Sequence, residues 1–357
     1  MRSPFSSVLF VTVLLVSSTV ASTTLSVNNS GFVTGPLSGK WFDYVVVIMM
    51  ENHNINNTYY KGVGTNPCFG DCTYYTSLAN SGGLAEEYTI EGINAAGCSI
   101  GCYIAITSGY GATTSTCNST PPGSSGCPYL QIPNIVDRIE SAGLSWKAYM
   151  EGYPKPSTCF NDDGSGTSYY HFDHNPFIYY ADIHNSPARC ARIVSANNQT
   201  VSQATNGCWP SSLPADDLFL NDLNSTSTAS NYMFLSPNTI DDNHDCDDVS
   251  IGNAWLNQVI PQVLGSPLFK NQRAALLVTF DEPGCTFSTC PSSPHGELYT
   301  VWASNAAHPI TKVGFKSVNA YTHYSALRTV EDNWNLQPLI ASTDGSANNM
   351  AEFLRAR

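Results

Sequence analysis

The chain has 357 residues, of which 42% are hydrophobic and only 12% are charged, and its formal net charge at pH 7 is -13. This length allows one large α/β domain or two ordinary ones, with a core large enough to bury a site. The acidic balance leaves no basic stripe that could neutralise phosphates along a strand, which excludes a general nucleic-acid-binding role.

The N-terminal segment has the pattern of a secretory signal peptide. Arg2 precedes an apolar run over residues 8–16, and small residues follow up to Ala21 at cleavage-like spacing. The alternative is a membrane anchor, but the run is well short of the ~20 apolar residues that span a bilayer. We therefore predict a signal peptide over 1–21, no stable membrane insertion, and secretion to the cell exterior. An extended Ser/Thr/Asn/Gly-rich leader is predicted over 22–40.

The cysteines and glycosylation sequons fit the same compartment. Twelve cysteines, an even number, indicate disulfides in a secreted chain. Cys117 with Cys127, and Cys285 with Cys290, are close enough in sequence to close local loops, whereas the remaining pairing stays open. Sequons of the N-x-S/T type are typical of a glycosylated extracellular surface. They begin at Asn28, Asn56, Asn118, Asn198 and Asn224.

Three continuous apolar runs predict buried strands, over 44–50, 231–236 and 274–280. None alternates strictly between apolar and polar residues, which is the pattern of strands covered by helices on both faces. Helical periodicity occurs between and after these runs, and in the last helix Arg328 and Glu331 are expected to form an ion pair at i, i+3 spacing. The predicted helices cover 135–143, 252–265 and 324–336.

Alternating strands and helices predict an α/β fold with a mostly parallel central sheet that is covered by helices on both faces. We assign residues 41–357 to a single domain. The Gly/Ser/Cys-rich stretches at 109–128 and 155–230 are too long for ordinary connections. They are expected to form long, disulfide-stapled loops at the carboxyl ends of the strands.

Polar ligand residues follow the predicted strands. Glu51 and Asn52 come directly after the first strand, Asp281 and Glu282 after the third, and Asp242 lies in the segment after the second. Ligands of open parallel sheets gather at the carboxyl ends of the strands. Carboxylate and amide oxygens with imidazole nitrogens suit zinc, manganese, iron or magnesium, so we predict a divalent metal site. The alternative is that these acids cap helices or face solvent.

A serine nucleophile is offered by the stretch AAGCSIGCYIAITSG. Ser99 lies at a turn before an apolar, helix-like run, where backbone N–H groups and the helix dipole favour an alkoxide and a phosphate. The alternative is that Ser99 is only an N-cap, since serine is a preferred capping residue. Cys98 and Cys102 are a possible metal-binding pair, but secretion favours a structural disulfide between them.

Histidines near these segments are candidates for proton transfer, because the pKa of histidine lies nearest neutrality. His174 stands in the aromatic stretch YYHFDHNPFIYY, and His244 stands in the acidic segment 241–248. This segment resembles a calcium loop but lacks the glycine and the terminal glutamate of that pattern. We expect Asp242 and His244 at the rim of the site and the other acids in solvent.

The chain resembles the secreted acid phosphatase and phospholipase C-like phosphoesterases, which belong to the alkaline phosphatase-like superfamily. The resemblance covers roughly residues 41 to 340 and rests on the order and spacing of six motifs. These motifs are VVVIMMENH (45–53), SIGCYIAITSG (99–109), His174-Asn175-Pro176, Asn243-His244-Asp245-Cys246, VTFDE (278–282) and HYSALRTVEDNWNL (323–336).

The resemblance implies an alkaline phosphatase-like fold and a metal ion of unspecified identity. The residues that match the family's metal ligands are Glu51, Asn52, Asp281 and Glu282. Asp242, which we expect at the rim of the site, is a fifth candidate ligand. Among the other matches, Ser99 takes the phosphoryl group before water releases it, and His174 and His244 act in catalysis. His174, His295 and His323 are implied to bind the substrate.

Two departures from the family pattern affect this assignment. Cys98 and Gly101-Cys102 replace the prolines and asparagine that the family has around the nucleophile, and a bridge between these cysteines would rigidify the same turn. His295 is followed by Gly296-Glu297 rather than by a Val-Pro pair.

These features together predict a secreted, metal-dependent phosphomonoesterase of acid phosphatase type that acts on small phosphate esters. A phospholipase C-like phosphodiesterase is the alternative within enzymes. A non-catalytic extracellular binding domain is the alternative from another class.

Overall fold

The structure is a computed structural model that describes residues 38–60, 62, 68–93, 98–111, 115–154, 159–163, 169–197, 216–245, 248–284 and 296–357. Several predicted features lie outside these ranges. They are the signal peptide over 1–21, most of the leader, the pair Cys285 and Cys290, and His295.

Within the described ranges, eight strands form one sheet and two further strands form a small second sheet. The large sheet has the order β5-β4-β6-β1-β7-β8-β2-β9, and its neighbours are parallel except where β8 pairs with β7 and β2. Strand β10 pairs in parallel with β3. The strands are β1 (Tyr44–Met50), β2 (Gly83–Ala85), β3 (Tyr88–Thr89), β4 (Trp146–Met150), β5 (Ile193–Ser195), β6 (Tyr232–Ser236), β7 (Ala274–Phe280), β8 (Thr300–Ala303), β9 (Phe315–Ser317) and β10 (Tyr321–Thr322).

Helices connect the strands, and α3 packs against α10 while α2 packs against α8. None of the helices in the described ranges is both long enough and apolar enough to cross a membrane. The α-helices are α1 (Ile55–Thr58), α2 (Thr73–Ser81), α3 (Ser99–Ser108), α4 (Ile135–Ser141), α5 (Ala181–His184), α6 (Pro187–Cys190), α7 (Asp217–Asp222), α8 (Ser250–Gly265), α9 (Pro267–Asn271) and α10 (His323–Asn333). Short 3-10 helices cover Ser115–Asn118, Phe172–His174, Pro176–Tyr179, Asp344–Ser346 and Ala351–Phe353.

The mostly parallel, helix-covered sheet confirms the predicted fold class. Strands β1 and β7 have the predicted bounds, and β6 begins one residue after its prediction. All seven residues of β7 are buried, and so are six of the seven in β1, because helices cover both faces of the sheet. In the observed order, the three predicted strands β6, β1 and β7 lie side by side in the middle of the sheet.

Four disulfides lie among the described residues, as the even number of cysteines predicts. The bridge between Cys117 and Cys127 closes the predicted local loop, and the bridge between Cys98 and Cys102 confirms the structural interpretation of that pair. The other two bridges join Cys68 to Cys72 and Cys159 to Cys190.

Two expectations about charged side chains are wrong. Asp241, expected in solvent, is fully buried, and its Oδ2 accepts a 2.7 Å hydrogen bond from Asn238. Arg328 pairs at 2.8 Å with Asp332 at i, i+4 spacing, whereas its expected partner Glu331 is fully buried. Asp241 and Glu331 point inward because the segments that carry them pack against the core. Sequence spacing alone does not show this packing.

Candidate active site

The predicted ligand residues meet at the carboxyl ends of three adjacent parallel strands. The N–H of Glu51, after β1, donates to the Asp242 carbonyl at 2.9 Å. The N–H of Asp281, after β7, donates to the Met50 carbonyl at 3.0 Å. The N–H of Asn52 donates to Asp281 Oδ1 at 3.0 Å. Parallel neighbours end at the same edge, so residues far apart in sequence become hydrogen-bonded neighbours.

The turns after β1 and β7 pack backbone against backbone. Asn52 has a φ of 56°, in the left-handed region that few non-glycine residues adopt. Gly284 has a φ of 61°, and a Cβ added there would lie 1.4 Å from the Asn52 carbonyl oxygen. Glycine at 284 therefore permits the close approach that holds Asn52 in place.

His174 lies at the centre of the carboxylate cluster and is only 2% exposed. Its Nδ1 lies 2.9 Å from Asp242 Oδ2, and its Nε2 lies 3.5 Å from both Glu51 Oε1 and Asp173 Oδ1. When Nδ1–H donates to Asp242, Nε2 turns a lone pair toward two carboxylates. That arrangement is favourable only with a cation or a proton between them.

Several buried ligand atoms near this point make no hydrogen bond to the described residues. They are both carboxylate oxygens of Glu51, Asp281 Oδ2 and His174 Nε2. Burying unpaired carboxylates is costly, so the donor set requires either a bound cation or protonated carboxyl groups. Ligand atoms of Glu51, His174 and His244 lie within 4.8 Å of one another, as do those of His171, Asp173 and His174. These two groups offer the oxygen and nitrogen donors that a divalent cation takes, and Glu51 is the one predicted metal ligand among them.

The pKa shifts of the carboxyl groups agree with a site built for positive charge. Burial raises the pKa of Glu51 well above its usual range, and the charges of Asp281 and Asp242 add to the shift. Burial likewise raises the pKa of Asp281, together with the charge of Glu282. A bound cation reverses this effect, because it favours the ionised carboxylates that coordinate it.

Ser99 is the first residue of α3, and it is 9% exposed. Its Oγ lies 3.5 Å from Glu282 Oε1, while the Cys98 N–H donates to Glu282 Oε2 at 2.9 Å. Cys98, rather than Ser99, occupies the N-cap position, and the cap has no side-chain hydrogen bond. The helix thus begins beside a predicted ligand residue, with the serine hydroxyl at its first turn.

His244 and Asp242 were both expected at the rim of the site. The His244 side chain is 34% exposed, whereas Asp242 is fully buried. The His244 N–H donates to Asp242 Oδ1 at 2.7 Å, and its Nδ1 lies 2.9 Å from Asp245 Oδ1. Its ring centroid is 5.0 Å from that of His174. Burial lowers the pKa of His244, but the hydrogen bond to Asp245 and the charge of Asp242 outweigh it and raise the pKa to about 9.

His323 is placed differently from its predicted substrate-binding role. It is fully buried, with Nε2 2.7 Å from the Asp281 carbonyl oxygen and Nδ1 3.0 Å from the Tyr88 hydroxyl. Burial lowers its pKa to about 4, so the ring is neutral and donates from Nε2 to Asp281. Both ring nitrogens are engaged by protein groups, and His323 therefore supports the Asp281 turn instead of facing a substrate.

Three residues that contact this cluster, His171, Asp173 and Tyr103, were not predicted from the sequence. Asp173 lies 3.5 Å from His174 Nε2 and contacts His171 Nδ1. Tyr103 stacks on His174, with ring centroids 5.7 Å apart and an interplanar angle of 9°. A signal was available for two of them, since Asp173 adjoins His174 in sequence and Tyr103 follows Ser99 by one helical turn.

The chain is similar in sequence to two known proteins over about three-fifths of its length. A probable acid phosphatase of Kluyveromyces lactis is 27% identical over 222 residues, which make up 61% of this chain and 45% of the relative. An acid phosphatase of Aspergillus niger is 25% identical over 225 residues, or 62% of this chain and 46% of the relative. The aligned segments thus span about half the length of these relatives.

Fold similarity extends further than sequence similarity. A Vibrio parahaemolyticus protein in the alkaline phosphatase superfamily has a solved structure that matches with a TM-score of 0.56 at 12% identity. The match covers 94% of this chain and 76% of that one, and it shows an alkaline phosphatase-like α/β fold. Residues 71–337 match the Phosphoesterase family. Because this match covers well over half of the chain, the protein belongs to the Phosphoesterase family.

Proposed function

We propose that this protein is a secreted, metal-dependent phosphomonoesterase of acid phosphatase type, which hydrolyses small phosphate esters through Ser99. The observation that carries the proposal is a set of buried ligand atoms, on Glu51, Asp281 and His174, that have no hydrogen-bond partner among the described residues. Glu282, beside Asp281, lies 3.5 Å from the Ser99 hydroxyl. The acid phosphatase names of the two relatives support the same reaction.

The metal would be held by Glu51, Asn52, Asp281 and Glu282, with Asp242 behind them. The ion supplies Lewis-acid stabilisation of the charge that develops on the phosphoryl oxygens. Asp242 accepts hydrogen bonds from the backbone of His244 and from the ring of His174, so it orients both histidines. Asn52 is held for coordination by its hydrogen bond to Asp281.

Ser99 Oγ would form the new bond to phosphorus while the ester oxygen leaves. Its position at the first turn of α3 places backbone N–H groups and the positive end of the helix dipole near the phosphoryl group. Glu282 Oε1, 3.5 Å away, is the nearest described acceptor for the serine proton. A water oxygen would then bond to phosphorus while the bond from phosphorus to Ser99 Oγ breaks, which releases inorganic phosphate. The proton on Glu282 would return to the serine oxygen, and a proton of the water would go to His244.

His244 would protonate the departing ester oxygen. Asp245 holds its Nδ1, so Nε2 faces away from this carboxylate and is the nitrogen available to the substrate. A pKa of about 9 keeps the imidazole protonated at acidic and neutral pH. Its partial exposure at the rim lets the leaving group depart into solvent.

Secretion is supported by the four disulfides among the described residues, because such bridges persist in oxidising compartments.

The decisive experiment combines metal analysis of the purified protein with the activity of Ser99→Ala on p-nitrophenyl phosphate. We expect stoichiometric divalent metal, and a loss of kcat of at least about 1000-fold. Ser108→Ala, at the other end of the same buried helix, is the matched control and should retain activity. A fully active Ser99→Ala would refute the nucleophile. Faster hydrolysis of bis(p-nitrophenyl) phosphate or phosphatidylcholine would favour a phosphodiesterase, and a metal-free, inactive wild type would favour a binding domain.

A further inference from the structure

Helix α3 carries both Ser99 and Tyr103, and the side chain of Tyr103 lies between this helix and the ligand cluster after β1. It follows Ser99 by four residues on α3, so both side chains lie on the same face of that helix. The side chain is fully buried. Its ring also approaches Phe234 of β6, with centroids 6.2 Å apart. These contacts hold the ring between α3 and the centre of the sheet.

The ring of Tyr103 has a specific partner in the site. It stacks almost parallel on His174, with 5.7 Å between centroids and 9° between planes. The imidazole is held at its edge by Asp242 at 2.9 Å, but this single hydrogen bond leaves rotation about the Nδ1 direction open. The stacked phenol closes that rotation and keeps Nε2 directed at Glu51 and Asp173.

The hydroxyl of Tyr103 has a second partner. It is buried and forms no well-aligned hydrogen bond to the described residues, and the same holds for both oxygens of Glu51. The imidazole of His174, on which the phenol stacks, lies 3.5 Å from Glu51 Oε1, so Tyr103 and Glu51 flank the same ring. In agreement, burial and then the charge of Glu51 raise the pKa of Tyr103 well above its usual range. With one Glu51 oxygen held for a cation, the other would be available to accept a hydrogen bond from this hydroxyl.

We propose that Tyr103 is a positioning residue: its hydroxyl orients the Glu51 carboxylate for metal binding, and its ring fixes the plane of His174. This inference rests on the proposed function, because it assigns Glu51 to the metal. The hydroxyl and the ring of Tyr103 thus have separate roles, the first in metal binding and the second in the orientation of His174. Removal of the hydroxyl should weaken metal retention, whereas removal of the ring should also impair catalysis at saturating metal.

Two substitutions separate these tasks. Tyr103→Phe keeps the stacked ring and removes the hydroxyl, and Tyr103→Leu removes both. Tyr149→Phe is the matched control, since Tyr149 is also fully buried and its hydroxyl donates to a carboxylate, that of Asp222 at 2.7 Å. Metal affinity is measured by competition of the holoenzyme with a chelator, followed by metal analysis. The values of kcat and KM are measured on p-nitrophenyl phosphate with excess metal.

We expect Tyr103→Phe to weaken metal affinity about 10-fold, with kcat at saturating metal close to that of the wild type. Tyr103→Leu should show the same loss of affinity and, in addition, a kcat about 10- to 100-fold lower with little change in KM. Tyr149→Phe should retain wild-type metal affinity and kcat, whatever its effect on Tm.

The proposal is overturned when Tyr103→Phe holds metal as tightly as the wild type and Tyr149→Phe. It is also overturned when metal loss in Tyr103→Phe is matched in Tyr149→Phe, because that result marks a general loss of stability. Should Tyr103→Leu not fold, the comparison of the two phenylalanine variants still decides the role of the hydroxyl. A wild-type protein without metal, or an active Ser99→Ala, contradicts the proposed function instead and is read from separate measurements.

Discussion

His174 Nδ1 and Asp242 Oδ2 lie 2.9 Å apart in the buried site, although 68 residues separate them in the chain. The other oxygen of the same carboxylate accepts the His244 backbone N–H at 2.7 Å. One carboxylate thus orients two histidines. Such partners fix the tautomer and direction of an imidazole, and their loss impairs a site whose reacting groups remain present.

Asp242→Asn should lower kcat/KM about 10- to 100-fold, because the amide can donate to Nδ1 and reverse the tautomer of His174. The assay is hydrolysis of p-nitrophenyl phosphate across a range of pH. Asp222→Asn is a suitable control, since Asp222 also holds two side-chain partners on another part of the fold, the half-buried Lys147 and the buried Tyr149. Unchanged kinetics and an unchanged pH profile in Asp242→Asn would remove this residue from the site.

Gly284→Ala should abolish most activity, because the added Cβ would lie 1.4 Å from the Asn52 carbonyl oxygen and displace a predicted metal ligand. A shift of about 1 Å at such a position costs about 100-fold in rate. Gly143→Ala isolates the backbone strain: its φ is also positive, at 72°, but nothing lies within 4 Å of the added Cβ.

The control should lose about 1 to 2 kcal/mol of stability and retain full activity. Equal activity losses in the two glycine variants would show that strain, and not the clash with Asn52, is responsible.

Replacement of both Cys98 and Cys102 by serine should reduce kcat more than stability. The bridge spans the first turn of α3, where Ser99 is positioned beside Glu282. The matched control replaces Cys117 and Cys127, whose bridge closes a loop elsewhere. We expect about a 10-fold loss of kcat in the first variant and little change in the control. A fully active first variant would show that α3 holds Ser99 without the bridge.

Glu331→Gln should flatten the dependence of stability on pH. Burial raises the pKa of Glu331 to about 9, and the nearby charge of Asp344 adds to the shift against the opposing charge of Arg328. The folded pKa thus exceeds the unfolded value of about 4.3. Stability from this group is therefore complete below about pH 4.3 and is lost as pH rises toward about 9.

Tm measured from pH 5 to pH 9 tests this sign. The wild type should lose more Tm over that interval than Glu331→Gln, by at least about 2–4 °C, the shift expected for 1 kcal/mol in a large domain. The variant keeps an amide donor toward Asp344, so its profile isolates the titration of Glu331. Parallel profiles in the two proteins would contradict the assignment.

Some elements were predictable because their signal is local. β1 and β7 are continuous apolar runs, and burial on both faces requires such runs whatever the neighbours are. β4 and β8 were missed, since WKAYM and TVWA mix polar and aromatic residues over short lengths. Helix α3 was visible as an apolar stretch, but its full burial depends on the layers that pack around it.

The sequence by itself determined that three apolar runs, 44–50, 231–236 and 274–280, become buried strands. It follows that Glu51, Asp281 and the segment of Asp242 meet at one edge of the sheet. Tertiary structure decided the direction of each side chain. It turned both nitrogens of His323 onto Tyr88 and Asp281, paired Arg328 with Asp332, and stacked Tyr103 on His174. Periodicity reports burial, which is a property of a segment, whereas a hydrogen bond or a stacked pair depends on two segments packing at a particular distance and angle.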